Sequence, residues 1–188
     1  MDLKDVQPYI EGKICMVTGG GGSIGSEIVR SLSKLNAEKI VIVDIYENGA
    51  YSVKCEVGDK VTVEIASVRD YEKMDCIMNK YRPDIVFHAA AHKHVPFMEL
   101  NPEEAVKNNV KGTETVADLA EKYNADNFVL ISTDKAVEPI SVMGASKRCC
   151  EMYVYEKLLK SKHTKFSAVR FGNVLNSNGS VIPLFKKQ

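Results

Sequence analysis

Thr133, Asp134 and Lys135 stand in a row, and Lys147 follows on the next helical pattern. A hydroxyl, a carboxyl and two amines are groups that move protons and steady charge on a developing oxyanion. To release a proton near neutral pH the acid needs a raised pKa. A lysine accepts one there only when burial or a neighbouring cation loosens its own. Met143 precedes Lys147 by four residues and shares its helix face, yet a thioether has no proton to give. Tyr153 and Tyr155 lie beyond Lys147 and read as packing residues. Alone, Asp134-Lys135 reads as a surface ion pair after a strand; Thr133 and Lys147 beside it point to chemistry.

A second constellation is Thr18-Gly19-Gly20-Gly21-Gly22-Ser23-Ile24-Gly25, between an apolar run and a helical pattern. Gly20, Gly22 and Gly25 satisfy GxGxxG; Gly19, Gly22 and Gly25 satisfy GxxGxxG. Glycines allow a tight turn and let a pyrophosphate approach the backbone, and the helix start at Ser23 and Ile24 offers N–H groups to it. Asp44 closes the next apolar run, where a carboxylate accepts hydrogen bonds from an adenosine ribose and repels a 2′-phosphate. No arginine follows it directly, so the expected cofactor is NAD(P), leaning to NAD. The plain alternatives are a flexible loop and an ordinary strand-end aspartate.

These groups need a scaffold. Short Val- and Ile-rich runs predict strands over Ile14 to Thr18, Ile40 to Asp44, Val61 to Ala66, Ile85 to His88, Phe128 to Ser132 and Phe166 to Arg170. Amphipathic segments predict helices over Ser23 to Leu35, Asp70 to Tyr81, Pro102 to Tyr123 and Met143 to Lys160, with Asp70 as an N-cap. Tyr46 to Asp59 stays unassigned. Repeated strand-helix alternation predicts an α/β fold, a Rossmann-type doubly wound parallel sheet with ligands at the strand carboxyl ends. The motifs fall at those ends.

The 188 residues suit one domain over 13–188 behind a lead-in segment, 1–12. Lys plus Arg and Asp plus Glu both number 25, so no net field points to nucleic acid. Five cysteines without ligand spacing predict reduced thiols and no metal site. No apolar run is long enough for a membrane span and no signal peptide is evident, so a cytoplasmic location is expected.

Five segments carry a resemblance: TGGGGSIGSEI from Thr18, HAAAHKHVPFME from His88, NNVKGT from Asn108, STDKAVEPISVMGASKR from Ser132 and RFGNVLNSNGSVIPLF from Arg170. Together the chain resembles the CapD-like nucleotide-sugar 4,6-dehydratases of capsule and O-antigen biosynthesis, which are extended short-chain dehydrogenases. In the wider superfamily a Tyr stands where Met143 does, whereas membrane-bound CapD-like members resemble this chain in having Met.

The resemblance implies a UDP-sugar substrate such as UDP-N-acetylglucosamine, transient oxidation at C4, loss of water across C5–C6 and hydride return to C6. It assigns Lys135 to the C5 proton, Asp134 to the departing C6 hydroxyl, Thr133 to the C4 oxygen, and Lys147 to the nicotinamide ribose and the C4 oxyanion. Met143 would pack against sugar or nicotinamide. Thr18, Gly19, Gly22, Ser23, Ile24, Gly25, Asp44, Ser67, Val68, His88, Ala89 and Ala90 would line the cofactor. Ser67 stands where the family has an adenine-binding Asp. Lys93, Asn173, Ser177, Gly179, Ser180 and Val181 would meet the UDP-sugar.

Relatives continue beyond Gln188 into a substrate lobe, so most of that lobe is expected to be missing, and longer members carry an N-terminal membrane region. The resemblance also allows a homo-oligomer paired through helices beside the site. Competing readings are a UDP-sugar 4-epimerase, against which Met143 counts, and a catalytically silent dinucleotide-binding module.

Overall fold

The computed structural model describes residues 5–172 and 174. The chain runs through α1 (Gln7–Ile10), β1 (Ile14–Thr18), α2 (Ser23–Lys34), β2 (Lys39–Asp44), α3 (Glu47–Val57), β3 (Val61–Ile65) and α4 (Tyr71–Tyr81). It continues through β4 (Ile85–His88), α5 (Val95–Leu100), α6 (Pro102–Ala105), a π-helical stretch (Val106–Lys111) and α7 (Gly112–Lys122). The last elements are β5 (Asn127–Thr133), a 3₁₀ turn (Asp134–Ala136), α8 (Val142–Lys160) and β6 (Lys165–Phe171).

Among the described residues six strands form one parallel sheet in the order β3-β2-β1-β4-β5-β6. Strand order reverses between β1 and β4, which opens a crevice above their carboxyl ends. Thr18 pairs in register with His88 at that point. The expected doubly wound sheet is therefore present.

Period-2 alternation sends successive side chains of each strand to opposite faces. Met16, Val41, Val43, Val86, Phe128 and Leu130 pack against α4, α7 and α8 through Met74, Met78, Leu119 and Val154. Cys15, Val17, Ile40, Ile42 and Ile85 pack on the other side against Val29 and Leu32 of α2 and Val53 of α3. Ile10 of α1 is buried in that second core, so part of the lead-in segment is packed onto the domain.

Four departures from the sequence reading have local causes. The unassigned stretch is α3, which lacks a side-chain N-cap. A short helix, α5, forms after His94 with Pro96 in its first turn. The predicted helix from Pro102 is interrupted by the π-helical stretch. Helix α8 begins one residue early because the Ser141 hydroxyl accepts from Gly144 N at 3.1 Å and Glu99 Oε1 accepts from Val142 N at 2.8 Å. Asp70 caps α4 as expected, accepting from Lys73 N at 3.0 Å.

Candidate active site

The glycine turn connects β1 to α2 and forms one side of the crevice. Gly19 has φ +71°, and a Cβ there would lie 2.7 Å from Ala90 N, so the turn and the β4 loop touch backbone to backbone. Asp44 braces the turn from the end of β2: its Oδ2 accepts from Gly21 N at 2.8 Å and its Oδ1 from Tyr46 N at 2.9 Å. The carboxylate still borders the crevice. Two connected hollows follow the strand ends. One, about 180 Å³, is lined by Asp44, Ile45, Ser67, Val68, Ala90 and Asn108. The other, about 400 Å³, is lined by Gly22, Ser23, Ile24, Lys93, Phe97 and Met98 among others. Gly19 and Ala89 border both hollows, and Gly25 borders the larger.

Thr18 and His88 lie beneath this floor. His88 Nδ1 pairs with the Thr18 hydroxyl at 2.7 Å and Nε2 with the Thr113 hydroxyl at 3.0 Å. Both residues are fully buried. Burial, with the charge of Lys147, pushes His88 down to about 3, so the ring is neutral. The expectation that these two contact the cofactor is corrected. The strand ends there, but its last side chains turn into the sheet–helix interface and brace the crevice from below.

Lys147, on α8, lines neither hollow but lies close enough for its charge to act on the buried His88 ring. It is 4% exposed, and no described residue accepts a hydrogen bond from its ammonium. Burial lowers its pKa, against the opposing pull of Cys150 and Glu151. Burying an amine is costly, and a ligand that reached Lys147 would have to be anionic or hydroxyl-rich. The 3₁₀ turn carrying Lys135 lies against the same helix. A Cβ on Gly144 would come 2.5 Å from the Lys135 carbonyl oxygen, three residues before Lys147. Lys135 and Lys147 therefore belong to one corner.

Asp134 departs from expectation. Its Oδ1 accepts from the Thr133 hydroxyl at 2.9 Å and from Lys135 Nζ at 3.2 Å. Thr133 first, then Lys135, hold this exposed carboxyl below the usual range. It stands as a carboxylate, so the raised pKa expected of an acid is absent. Met143 departs as well. It is buried with Met98 and Ala105 in a small apolar cluster and presents little to the crevice.

Two buried polar groups escaped the sequence reading. Asn109, in the π-helical stretch, accepts from His92 N at 2.8 Å, donates to His92 O at 3.0 Å and donates to the Ser146 hydroxyl at 2.9 Å. It ties the crevice wall to the residue before Lys147. Glu151 receives Ser132 Oγ at 2.6 Å and both Arg170 Nε and Nη2, at 2.8 and 2.6 Å. An Asn or Glu at an inward helical position was the available signal. Lys93 lines the larger hollow. Asn173, Ser177, Gly179, Ser180 and Val181 lie outside the described residues.

The family described as polysaccharide biosynthesis protein matches residues 15–188. The probable polysaccharide biosynthesis protein EpsC of Bacillus subtilis is 52% identical over all of this chain, which covers 32% of that protein. An inverting UDP-N-acetylglucosamine 4,6-dehydratase of Campylobacter jejuni is 35% identical over 94% of the chain and 53% of its own length. A UDP-glucose 4-epimerase of Rickettsia canadensis is 39% identical with the same two coverages, 94% and 53%. The X-ray structure of Pen from Bacillus thuringiensis superposes with TM-score 0.89 at 33% identity, over 96% of this chain and 58% of that one. The chain thus spans from about a third to just over half of the proteins it matches. Among the described residues no helix is long and apolar enough to cross a membrane.

Proposed function

Since this chain belongs to the polysaccharide biosynthesis family of extended short-chain dehydrogenases, we propose that it is the dinucleotide-binding part of a UDP-sugar 4,6-dehydratase. The observation that carries this reading is the buried Lys147 on α8, a helix packed against the 3₁₀ turn of Asp134 and Lys135, in a fold whose glycine turn lines a crevice. NAD(P) fits the crevice. Ser23 and Ile24 open a helix where a pyrophosphate would sit, Asp44 stands at the ribose position, and Ser67 and Val68 flank the space beyond for the base. Asp44 favours NAD. Bound there, the nicotinamide supplies hydride removal from C4 of the sugar and its return to C6.

The chain's own residues handle the protons. The Asp134 carboxylate, steadied by Thr133, takes the proton of the C4 hydroxyl as the ketone forms. Lys135 gives its ammonium proton to solvent water and acts as a free amine on the C5 proton, regaining a proton from solvent when turnover ends. Asp134 then passes its proton to the C6 hydroxyl, which leaves as water. Lys135 returns the C5 proton as hydride reaches C6, so the balance is loss of one water. Lys147 stabilises the C4 oxygen and holds the nicotinamide ribose.

The epimerase relative keeps a second reading open, since epimerisation shares the first hydride step. Met143 speaks against it: the thioether has no proton to exchange and lies in an apolar cluster. Incubating the full-length protein with UDP-N-acetylglucosamine and following the sugar by NMR separates these readings. A new C6 methyl signal is the expected outcome. A galacto product would establish the epimerase, and an unchanged sugar would leave a binding module.

A further inference from the structure

Glu151 has no part in the chemistry above, yet it is buried on α8, on the helix face it shares with Lys147 four residues earlier. Its Oε1 accepts from the Ser132 hydroxyl at 2.6 Å and from Arg170 Nε at 2.8 Å. Its Oε2 accepts from Arg170 Nη2 at 2.6 Å and from Arg148 Nη1 at 3.3 Å. Ser132 immediately precedes Thr133, and Arg170 is its register partner on β6. The segment that carries Thr133 and Asp134 therefore meets α8 on both sides of them. Before them Ser132 is bonded to Glu151, and after them the Lys135 carbonyl oxygen lies against Gly144. On the helix, the same two contacts flank Lys147. The Glu151 charge also opposes the effect of burial on Lys147.

We propose that Glu151 is a positioning residue: through its bond to Ser132 it fixes Thr133, Asp134 and Lys135 relative to Lys147. The proposal rests on the UDP-sugar reading and adds a member to its machinery. Arg170 and Arg148 compensate the buried carboxylate, and Ser132 is the bond that reaches the reacting segment. A hydroxyl donating to an ionised carboxylate makes a short, strong bond, suited to hold a strand end against a helix. The groups it aligns act on neighbouring atoms of one sugar ring, where a misplacement of about 1 Å can cost about 10²-fold in rate.

Ser132→Ala breaks this bond and leaves the Glu151–Arg170 pair in place, so the variant should fold with a Tm only a few degrees lower. Steady-state dehydration of UDP-N-acetylglucosamine by the full-length protein with NAD reads the effect. The expected result is a kcat about 10-fold to 10²-fold lower, with KM and NAD affinity within about 2-fold of wild type. Ser132→Thr restores the hydroxyl and should recover most of kcat, a rescue that lost packing alone would not give. An unchanged kcat in Ser132→Ala, a raised KM with kcat kept, or a loss that Ser132→Thr does not recover overturns the positioning role alone. A wild-type protein that leaves the sugar unchanged overturns the dehydratase reading, and this role with it.

Discussion

The Asn109 carboxamide donates to the Ser146 hydroxyl at 2.9 Å while gripping both backbone groups of His92. One buried side chain thus joins the crevice wall to the helix that carries Lys147. Asn109→Ala removes four side-chain hydrogen bonds, to His92 N, His92 O, Ser146 Oγ and Asn108 Nδ2, and should cost about 3 kcal/mol. Ser146→Ala removes one of those bonds and should cost about 1 kcal/mol. Urea unfolding of the two variants checks the ratio, and equal losses would refute the shared clamp.

Glu151 is the buried anchor for β5 and β6. Burial pushes its carboxyl up, but Arg170 and Ser132 outweigh that and hold it below the usual range. A depressed carboxyl contributes stability that is complete above its unfolded pKa and is lost as pH falls through the folded one. Arg170→Met should therefore cost about 2 kcal/mol at pH 7. The gap from wild type should narrow below about pH 4.5, where the carboxyl of the variant protonates first. Urea midpoints at pH 7 and at acid pH measure the narrowing.

Much of this was legible from residue pattern. The six apolar runs are the six strands of the sheet, displaced by no more than one residue at either end, because strands buried on two faces leave long uninterrupted Val and Ile runs. The glycine turn and Asp44 were readable because their spacing reflects backbone geometry. What escaped depends on side-chain direction. Thr18 and His88 end their strands at the crevice, yet their side chains turn down toward Thr113. The π-helical stretch kept the same amphipathic pattern as the helices beside it, so only the inward helical position of Asn109 was there to mark it. The protonation state of Asp134 follows from two hydrogen bonds that residue order alone does not supply.

His88 offers a sharper pH test. Its folded pKa, about 3, lies below the ordinary 6.5, so the native state refuses a proton that the unfolded chain accepts. Its contribution is complete above about pH 6.5 and falls by about 1.4 kcal/mol per pH unit below it. The fall levels off only near the folded value. His88→Gln keeps a donor and an acceptor between Thr18 and Thr113 and should remove that slope. Parallel slopes for the two proteins between pH 6 and pH 4.5 would count against it.

Asp44 braces the glycine turn and faces the crevice with the same carboxylate. Asp44→Asn keeps one acceptor oxygen but places amide hydrogens near Gly21 N or Tyr46 N. NAD affinity should fall about 10-fold, the effect of losing one or two charge-assisted hydrogen bonds. NADP should gain relative to NAD, since the charge that repels a 2′-phosphate is gone. Titration of intrinsic dinucleotide fluorescence with the reduced cofactors reads both affinities.

Lys147 should show stability and function pulling apart. The residue is 4% exposed, and burial lowers its pKa below the ordinary lysine value. A lysine with a lowered folded pKa reduces stability increasingly as pH falls below its unfolded value. Lys147→Met fills the same volume without the charge, so the variant should be more stable than wild type by about 1–2 kcal/mol at pH 7. The same change removes the cation that meets the ribose and the C4 oxygen. Dinucleotide binding should weaken and turnover should fall by about 10³-fold or more, as expected for a lost electrostatic contact at a reacting oxygen. Lys147→Arg, with its wider planar head, should recover the charge but not the fit, and little of the turnover. A Lys147→Met protein that is less stable than wild type would mean the ammonium already has a structural partner in the folded chain, and the crevice would lose its clearest mark of a ligand.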